Sequence, residues 1–157
     1  MSGSNAELIH RLYVALDRRD GEAMARCYHA NAHFSDPVFT SLDGRAVGDM
    51  WRMLASKATD IKVEASDISA DAGTGKAHWV ATYTFSGTGR KVVNRIDARF
   101  KFSEGLILDH RDTFDLWRWA AQALGPTGML LGWTPMVRNK IRAQAAANLA
   151  KYQAANP

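Results

Sequence analysis

Along the first half of the chain the apolar positions follow a helical period. Leu8, Ile9, Leu12, Tyr13 and Leu16 recur at spacings of three and four, which makes one apolar helix face. Ser4 and Glu7 fit a capping box, each side chain satisfying a free amide of the opening turn. Asp20-Gly21 breaks this helix and starts a second, with Ala23, Met24, Cys27 and Tyr28 inward. A short strand is expected around His33-Phe34, running into Asp36-Pro37. Val47, Met50, Trp51 and Leu54 give a third helical stripe.

After residue 60 the period changes to two. Ile61 to Ile68 reads as a strand, followed by a turn at Asp71–Gly75. Ala77 to Phe85 is strand, with Trp79, Ala81, Tyr83 and Phe85 on one side. Ser86–Gly89 turns again. Val92 to Phe102 follows, with Asn94, Ile96, Ala98, Phe100 and Phe102 on one face and Arg95, Asp97, Arg99 and Lys101 on the other. Ser103-Glu104-Gly105 closes a hairpin into Leu106–Phe114, the last long strand. These elements predict an α+β domain in which three N-terminal helices cover one face of an antiparallel sheet.

Residues 117–157 predict a helical extension of the same structural unit. A helix is expected over Leu116–Leu124, stopped by Gly125-Pro126, and Pro135 can open a last helix to about Tyr152. Three of the five tryptophans lie between 117 and 133, more apolar surface than a finished domain would leave uncovered. A lid over the domain or a dimer contact is the expected use.

Composition narrows the class. At 157 residues the chain is one domain long and holds a core without staples. A single cysteine, Cys27, forms no internal disulfide and reads as a small buried apolar residue. Neither a signal peptide nor an apolar run of membrane-spanning length is visible, so a cytoplasmic location is expected. The net charge of +4 is unevenly placed. Residues 116–157 hold Arg118, Arg138, Lys140, Arg142 and Lys151 and no acid, and the rest of the chain is close to neutral. A nucleic-acid reader spreads basic and aromatic residues across its body, so nucleic acid is not an expected partner. Nor is a membrane surface, because the last helix is alanine-rich and poor in large apolar residues.

Several local motifs resemble one known family. They are Arg19-Asp20-Gly21-Glu22-Ala23, Phe34-Ser35-Asp36-Pro37, Gly44-Arg45, and Gly105-Leu106-Ile107 with Arg111-Asp112-Thr113-Phe114-Asp115. Over about residues 5–117 the chain resembles the SnoaL-like, nuclear-transport-factor-two-like folds, which include ketosteroid isomerases, polyketide cyclases and limonene epoxide hydrolases. The resemblance implies a cone, closed at one end, that takes a small apolar molecule. It also implies a homodimer through the outer sheet face, which the Arg95, Asp97, Arg99, Lys101 stripe suits. Within that family fold is kept while chemistry changes.

By resemblance to ketosteroid isomerases, Asp36 stands where a general base sits, and a carboxylate in an apolar cone is a better base near neutral pH. The oxyanion partners of those enzymes are a helix tyrosine and a protonated sheet aspartate. Here Leu12 and Ala98 fall at the matching positions, with Tyr13 beside the first, and Asp97 turns outward. Asp112 matches the limonene epoxide hydrolase acid, yet the Arg and Asp those enzymes carry on an earlier strand are Trp79 and Ala81 here. The inward candidates for catalysis are thus Asp36, His110 and Asp112. A histidine beside carboxylates acts as acid or base near neutral pH. Tyr13, Trp51, Trp79, Tyr83 and Phe114 are the expected walls, and Asn94 an orienting group. Neither a metal nor a cofactor is expected, since zinc spacing, phosphate loop, dinucleotide fingerprint and nucleophile elbow are all missing. Three uses stay open: a cofactor-free enzyme, a non-catalytic small-ligand binder, or a dimeric interaction protein.

Overall fold

In the computed structural model, which describes residues 2–157 with side chains from residue 5 onward, six strands form one curved, open sheet in the order β2-β1-β6-β5-β4-β3. The helices are α1 (Ser2–Asp17), α2 (Gly21–Ala25), α3 (Arg45–Lys57), α4 (Leu116–Leu124), α5 (Pro126–Leu131) and α6 (Pro135–Ala155). The strands are β1 (Tyr28–Ser35), β2 (Leu42–Asp43), β3 (Lys62–Ala70), β4 (Thr74–Phe85), β5 (Arg90–Ser103) and β6 (Leu106–Thr113). The Ser4–Glu7 capping box rests on a side chain outside the described residues.

The meander β3-β4-β5-β6 is antiparallel, as its short turns require. Glu104 and Gly105 both have positive φ, 56° and 75°, the backbone of a two-residue hairpin turn. The expectation of a wholly antiparallel sheet is corrected by β1, which pairs parallel to β6 through Phe34↔His110 and Ser35↔Arg111. Alternation reports which face a strand buries, and the partner and its direction are set by the connection. Here that connection is everything between Ser35 and Leu106, so no hairpin constrains it.

Two local readings also change. The second helix ends at Ala25, five residues long; Cys27 lies in the following turn and Tyr28 opens β1. The Cys27 thiol is buried and donates to Ala23 O at 3.4 Å. Strand β3 carries a bulge between Ser66 and Ser69, with Asp67 at φ 54°. The extra residue shifts the parity, so that Val63, Ala65, Ile68 and Ala70 all pack against the core.

Strand β5 alternates strictly: Val92, Asn94, Ile96, Ala98 and Phe100 are buried, and Arg95, Asp97, Arg99 and Lys101 are exposed. Asp97 pairs with His78 on that outer face at 2.9 Å. The core lies between the inner sheet face and α1, α2 and α3, with Leu8, Ile9, Leu12, Met24, Phe34 and Met50 almost wholly buried. A second apolar cluster of Val92, Leu116, Trp119, Ala120 and Ala123 joins α4 to the sheet. From α6 of the extension, Leu149 is buried in the main core. Among the described residues, no helix is long and apolar enough to cross a membrane.

Candidate functional site

Strand β6 leaves the Glu104-Gly105 turn with Ile107, His110 and Asp112 buried. His110 is fully buried and Asp112 is 3% exposed. Their side chains meet at 2.7 Å, His110 Nε2 to Asp112 Oδ1. The other ring nitrogen, Nδ1, lies 2.8 Å from Tyr28 Oη. Trp51 Nε1 donates to the same Tyr28 oxygen at 2.9 Å. An indole only donates, so the Tyr28 oxygen must accept from it. With a neutral ring, the Tyr28 hydroxyl donates to Nδ1 and Nε2–H donates to the Asp112 carboxylate, leaving no member unpaired. Burial raises the Tyr28 hydroxyl well above its ordinary range, and the Asp112 charge adds to this. Phe34, Trp51 and Phe100 enclose the imidazole, the nearest ring centroid, that of Phe100, lying at 4.4 Å.

Asp36 follows β1 directly and folds the chain into a turn. Its Oδ1 accepts from Val38 N at 2.7 Å and Phe39 N at 2.6 Å, and its own amide donates to Phe39 O. This is an Asx-type cap, as Asp-Pro sequences favour. Protein crowds the carboxyl closely although part of the residue reaches solvent. Burial pushes its pKa up to about 7, the Phe39 and Val38 amides oppose that, the Asp112 charge adds to it, and His110 offsets it slightly. Asp36 therefore shares an electrostatic environment with the His110–Asp112 pair without bonding to either.

Two wall residues have unpartnered donors. Tyr13 Oη and Trp79 Nε1 are buried with no hydrogen-bond partner among the described residues. Tyr13 is 3% and Trp79 5% exposed, with ring centroids 5.3 Å apart. Burial raises the Tyr13 hydroxyl well above its usual range, and Asp112 raises it further, which places the phenol within the field of that carboxylate. Trp51 stands against Trp79 at 6.4 Å. Tyr83 and Phe114 are half-buried at the junction with α4, and Asn94 is buried on β5. Tyr83 Oη accepts from Trp119 Nε1 at 2.8 Å, and its hydroxyl is raised by burial with a small contribution from Asp36.

Three participants were not picked out as site residues. Tyr28 bridges Trp51 and His110. Trp119 brings α4 to Tyr83. Arg142 of α6 donates from Nε to Pro37 O at 2.9 Å and ties the extension to the Asp36 turn. Farther along α6, Gln153 reaches the buried Asp49 of α3 at 3.1 Å. Only Tyr28 left a signal in the sequence, as an inward tyrosine; the other two contacts depend on where the extension lands.

Two surface depressions lie away from the trio. One of about 760 Å³ runs along Lys76, Arg99, Lys101, Asp109 and Arg111. One of about 520 Å³ lies among Glu22, Arg45, Asp49, Arg52 and Tyr152. Around His110 the rings of Tyr28, Phe34, Trp51 and Phe100 pack with centroids 4.4–6.3 Å from the imidazole, and neither depression is lined by Asp36, His110 or Asp112. No group of three or more His, Cys, Asp or Glu side chains suited to a metal occurs among the described residues.

Several solved structures share this architecture. A protein of ketosteroid isomerase-like fold from Catenulispora acidiphila DSM 44928, solved with trimethylamine, is 14% identical and superposes with a TM-score of 0.68, covering 82% of this chain and 98% of that one. An LEH-like epoxide hydrolase from M. tuberculosis is 16% identical, with a TM-score of 0.65 over 83% of this chain and 98% of that one. A candidate polyketide cyclase from Xanthomonas campestris pv. campestris is 20% identical, with a TM-score of 0.65 over 78% and 98%. At such identities these likenesses show the fold alone. Among curated proteins no sequence matches. The model of the SnoaL-like domain matches residues 9–110, from the first helix to the buried histidine of β6. With more than half of the chain matched and the same curved sheet and helices in place, this protein belongs to the SnoaL-like domain family.

Proposed function

We infer that this chain binds a small hydrophobic molecule inside its cone and performs acid–base chemistry on it without a cofactor, of the isomerase, cyclase or hydrolase type. The observation that carries this reading is the pair of buried, unpartnered donors, Tyr13 Oη and Trp79 Nε1, in the interior that also buries His110 and Asp112, with Asp36 at its edge within the field of that pair. A buried donor without a partner costs about 1–3 kcal/mol. A ligand oxygen accepting from these donors would remove that cost. The fitting ligand is an apolar, flat molecule with one acceptor oxygen, such as a carbonyl or an epoxide.

Asp36 supplies the proton chemistry. Near pH 7 both forms of a carboxyl raised to about 7 are populated, so it can take a proton from carbon or from water and return it. Charge that develops on the ligand oxygen is stabilised by donors that are already in place and dry. His110 and Asp112 hold the floor: Tyr28 fixes one imidazole nitrogen and Asp112 the other. A proton can move along this chain with little heavy-atom rearrangement, since a hydroxyl both accepts and donates. An LEH-like epoxide hydrolase and a candidate polyketide cyclase with the same fold suit chemistry at an oxygen-bearing centre without selecting one.

A second reading, non-catalytic binding, is favoured by the completeness of the His110 network, whose nitrogens are both already paired. A panel of apolar ketones, lactones and epoxides separates the two. Turnover that drops by about 10²-fold or more in Asp36→Asn and Asp112→Asn, with ligand binding retained, is the expected result. Binding without turnover in the parent protein selects the second reading. If no panel member is bound or converted, and Tyr13→Phe and Trp79→Phe only stabilise the protein, the interior serves packing alone.

A further inference from the structure

The corner where α4, α5 and α6 meet exposes six large apolar side chains: Trp117, Met129, Leu130, Leu131, Trp133 and Met136. Leu130 is 68% and Met136 71% exposed, so they stand out from the surface. Scattered apolar residues need no explanation, but six within one helical corner form a patch of the kind that marks an interaction site.

The corner is closely packed. A Cβ on Gly128 would lie 1.9 Å from Ala120 O, and one on Gly132 2.9 Å from Ala120 Cβ, so α5 is pressed directly onto α4. Both exposed indoles already use their N–H groups inside the corner. Trp117 Nε1 donates to Met129 O at 2.9 Å and Trp133 Nε1 to Leu130 O at 3.0 Å. Removing water from these rings therefore strands no donor.

Charge selects the occupant. Residues 116–157 contain five basic side chains and no acid; of these Arg118 and Lys140 are exposed beside the corner, Arg138 is bonded within it to Gly132 O, and Arg142 is engaged at Pro37. Arg118 adjoins Trp117 in sequence, and Lys140 lies one helical turn from Met136, on the same side of α6. A second copy docked through this corner by a two-fold axis would face one basic extension with another. An anionic lipid surface attracts such an extension, while the protruding apolar side chains enter the interfacial layer.

We propose that the α4–α5–α6 corner is a docking surface for an anionic membrane, seated by Leu130, Trp133 and Met136 and drawn in by the basic extension. The expectation against membrane contact weighed the alanine-rich last helix as a whole; the apolar side chains that matter lie before it and in its first turn.

Sedimentation with phosphatidylcholine vesicles, with and without phosphatidylglycerol, tests this on the full chain. The protein is expected to pellet with the mixed vesicles, to be released by high salt, and to stay in solution with phosphatidylcholine alone. Leu130→Ser combined with Met136→Ser is expected to lower partitioning about tenfold or more with an unchanged melting temperature, since both side chains are exposed. Brominated lipid is expected to quench the parent protein and to quench Trp133→Phe less. Equal binding to both vesicle types, or partitioning insensitive to the double substitution, overturns the proposal. So does a concentration-dependent dimer abolished by that substitution in a protein that binds neither vesicle.

Discussion

Asp36 links the turn, the site and stability through one carboxyl. Its pKa is raised from the ordinary aspartate value to about 7, chiefly by burial. The folded state then holds a proton that the unfolded chain releases from about pH 4 upward. The unfolded state binds fewer protons in that window, so stability falls as pH rises from about 4 through 7 and levels off above it. The size is on the order of 2–4 kcal/mol across the window. Asp36→Asn keeps an acceptor oxygen for the Val38 and Phe39 amides but cannot ionise. Urea unfolding at several pH values is expected to show the slope in the parent protein and a flatter profile in the variant. Equal slopes would place the titration elsewhere. Tyr28 is the second test at this scale. Tyr28→Phe leaves Trp51 Nε1 and His110 Nδ1 buried without their shared partner, at about 2–3 kcal/mol. Adding Trp51→Phe removes one orphaned donor, so the double variant should lose less than the two single losses combined. Strict additivity in a double-mutant cycle would mean that the hydroxyl does not couple the two side chains.

Elements show where periodicity informs and where it stops. Strand β5 was legible residue by residue, because strict alternation fixes which side chains are buried whatever the neighbouring strand does. The same logic placed His110 and Asp112 inward and Asp97 outward. It could not reveal that β1 lies parallel beside β6, nor that Tyr28 belongs to that strand, since neither direction nor partner is written in an alternation. The Gly125-Pro126 break was legible as a stop, but not as a reversal that folds α5 back onto α4. That reversal depends on Gly128, where a Cβ would strike the backbone of Ala120 rather than a movable side chain. Gly128→Ala is expected to force α5 away and cost about 2–3 kcal/mol. Gly73→Ala, whose added Cβ meets only Asp71 Oδ1 at 3.9 Å, should be nearly neutral. Thermal melts of the two variants check this, and near-ultraviolet circular dichroism should change only in the first, because Trp117 sits at the displaced contact. Similar melts for both would mean that α5 is not held against α4 in solution.

For the molecule as a whole, the question is whether residues 116–157 are added to a finished cone or complete it. The motifs end near residue 117, which invites the first view. The packing supports the second. Leu116 and Trp119 close one end of the sheet against Val92, Leu149 lies in the main core, and Arg142 and Gln153 bond to the Asp36 turn and to α3. Each fully buried large apolar side chain contributes about 1.5–3 kcal/mol. Leu116, Trp119, Val137 and Leu149 together then amount to roughly 8 kcal/mol, comparable with the whole stability of a typical domain. A chain ending at Asp115 is therefore expected to lose its cooperative unfolding transition and to expose the apolar surface beside Tyr83 and Val92. Circular dichroism melts and binding of a hydrophobic dye read both effects. A soluble fragment that melts cooperatively near the parent temperature would show instead that the extension rides on a self-sufficient cone. Its contacts with the Asp36 turn would then be free to open and close without unfolding the floor beneath them.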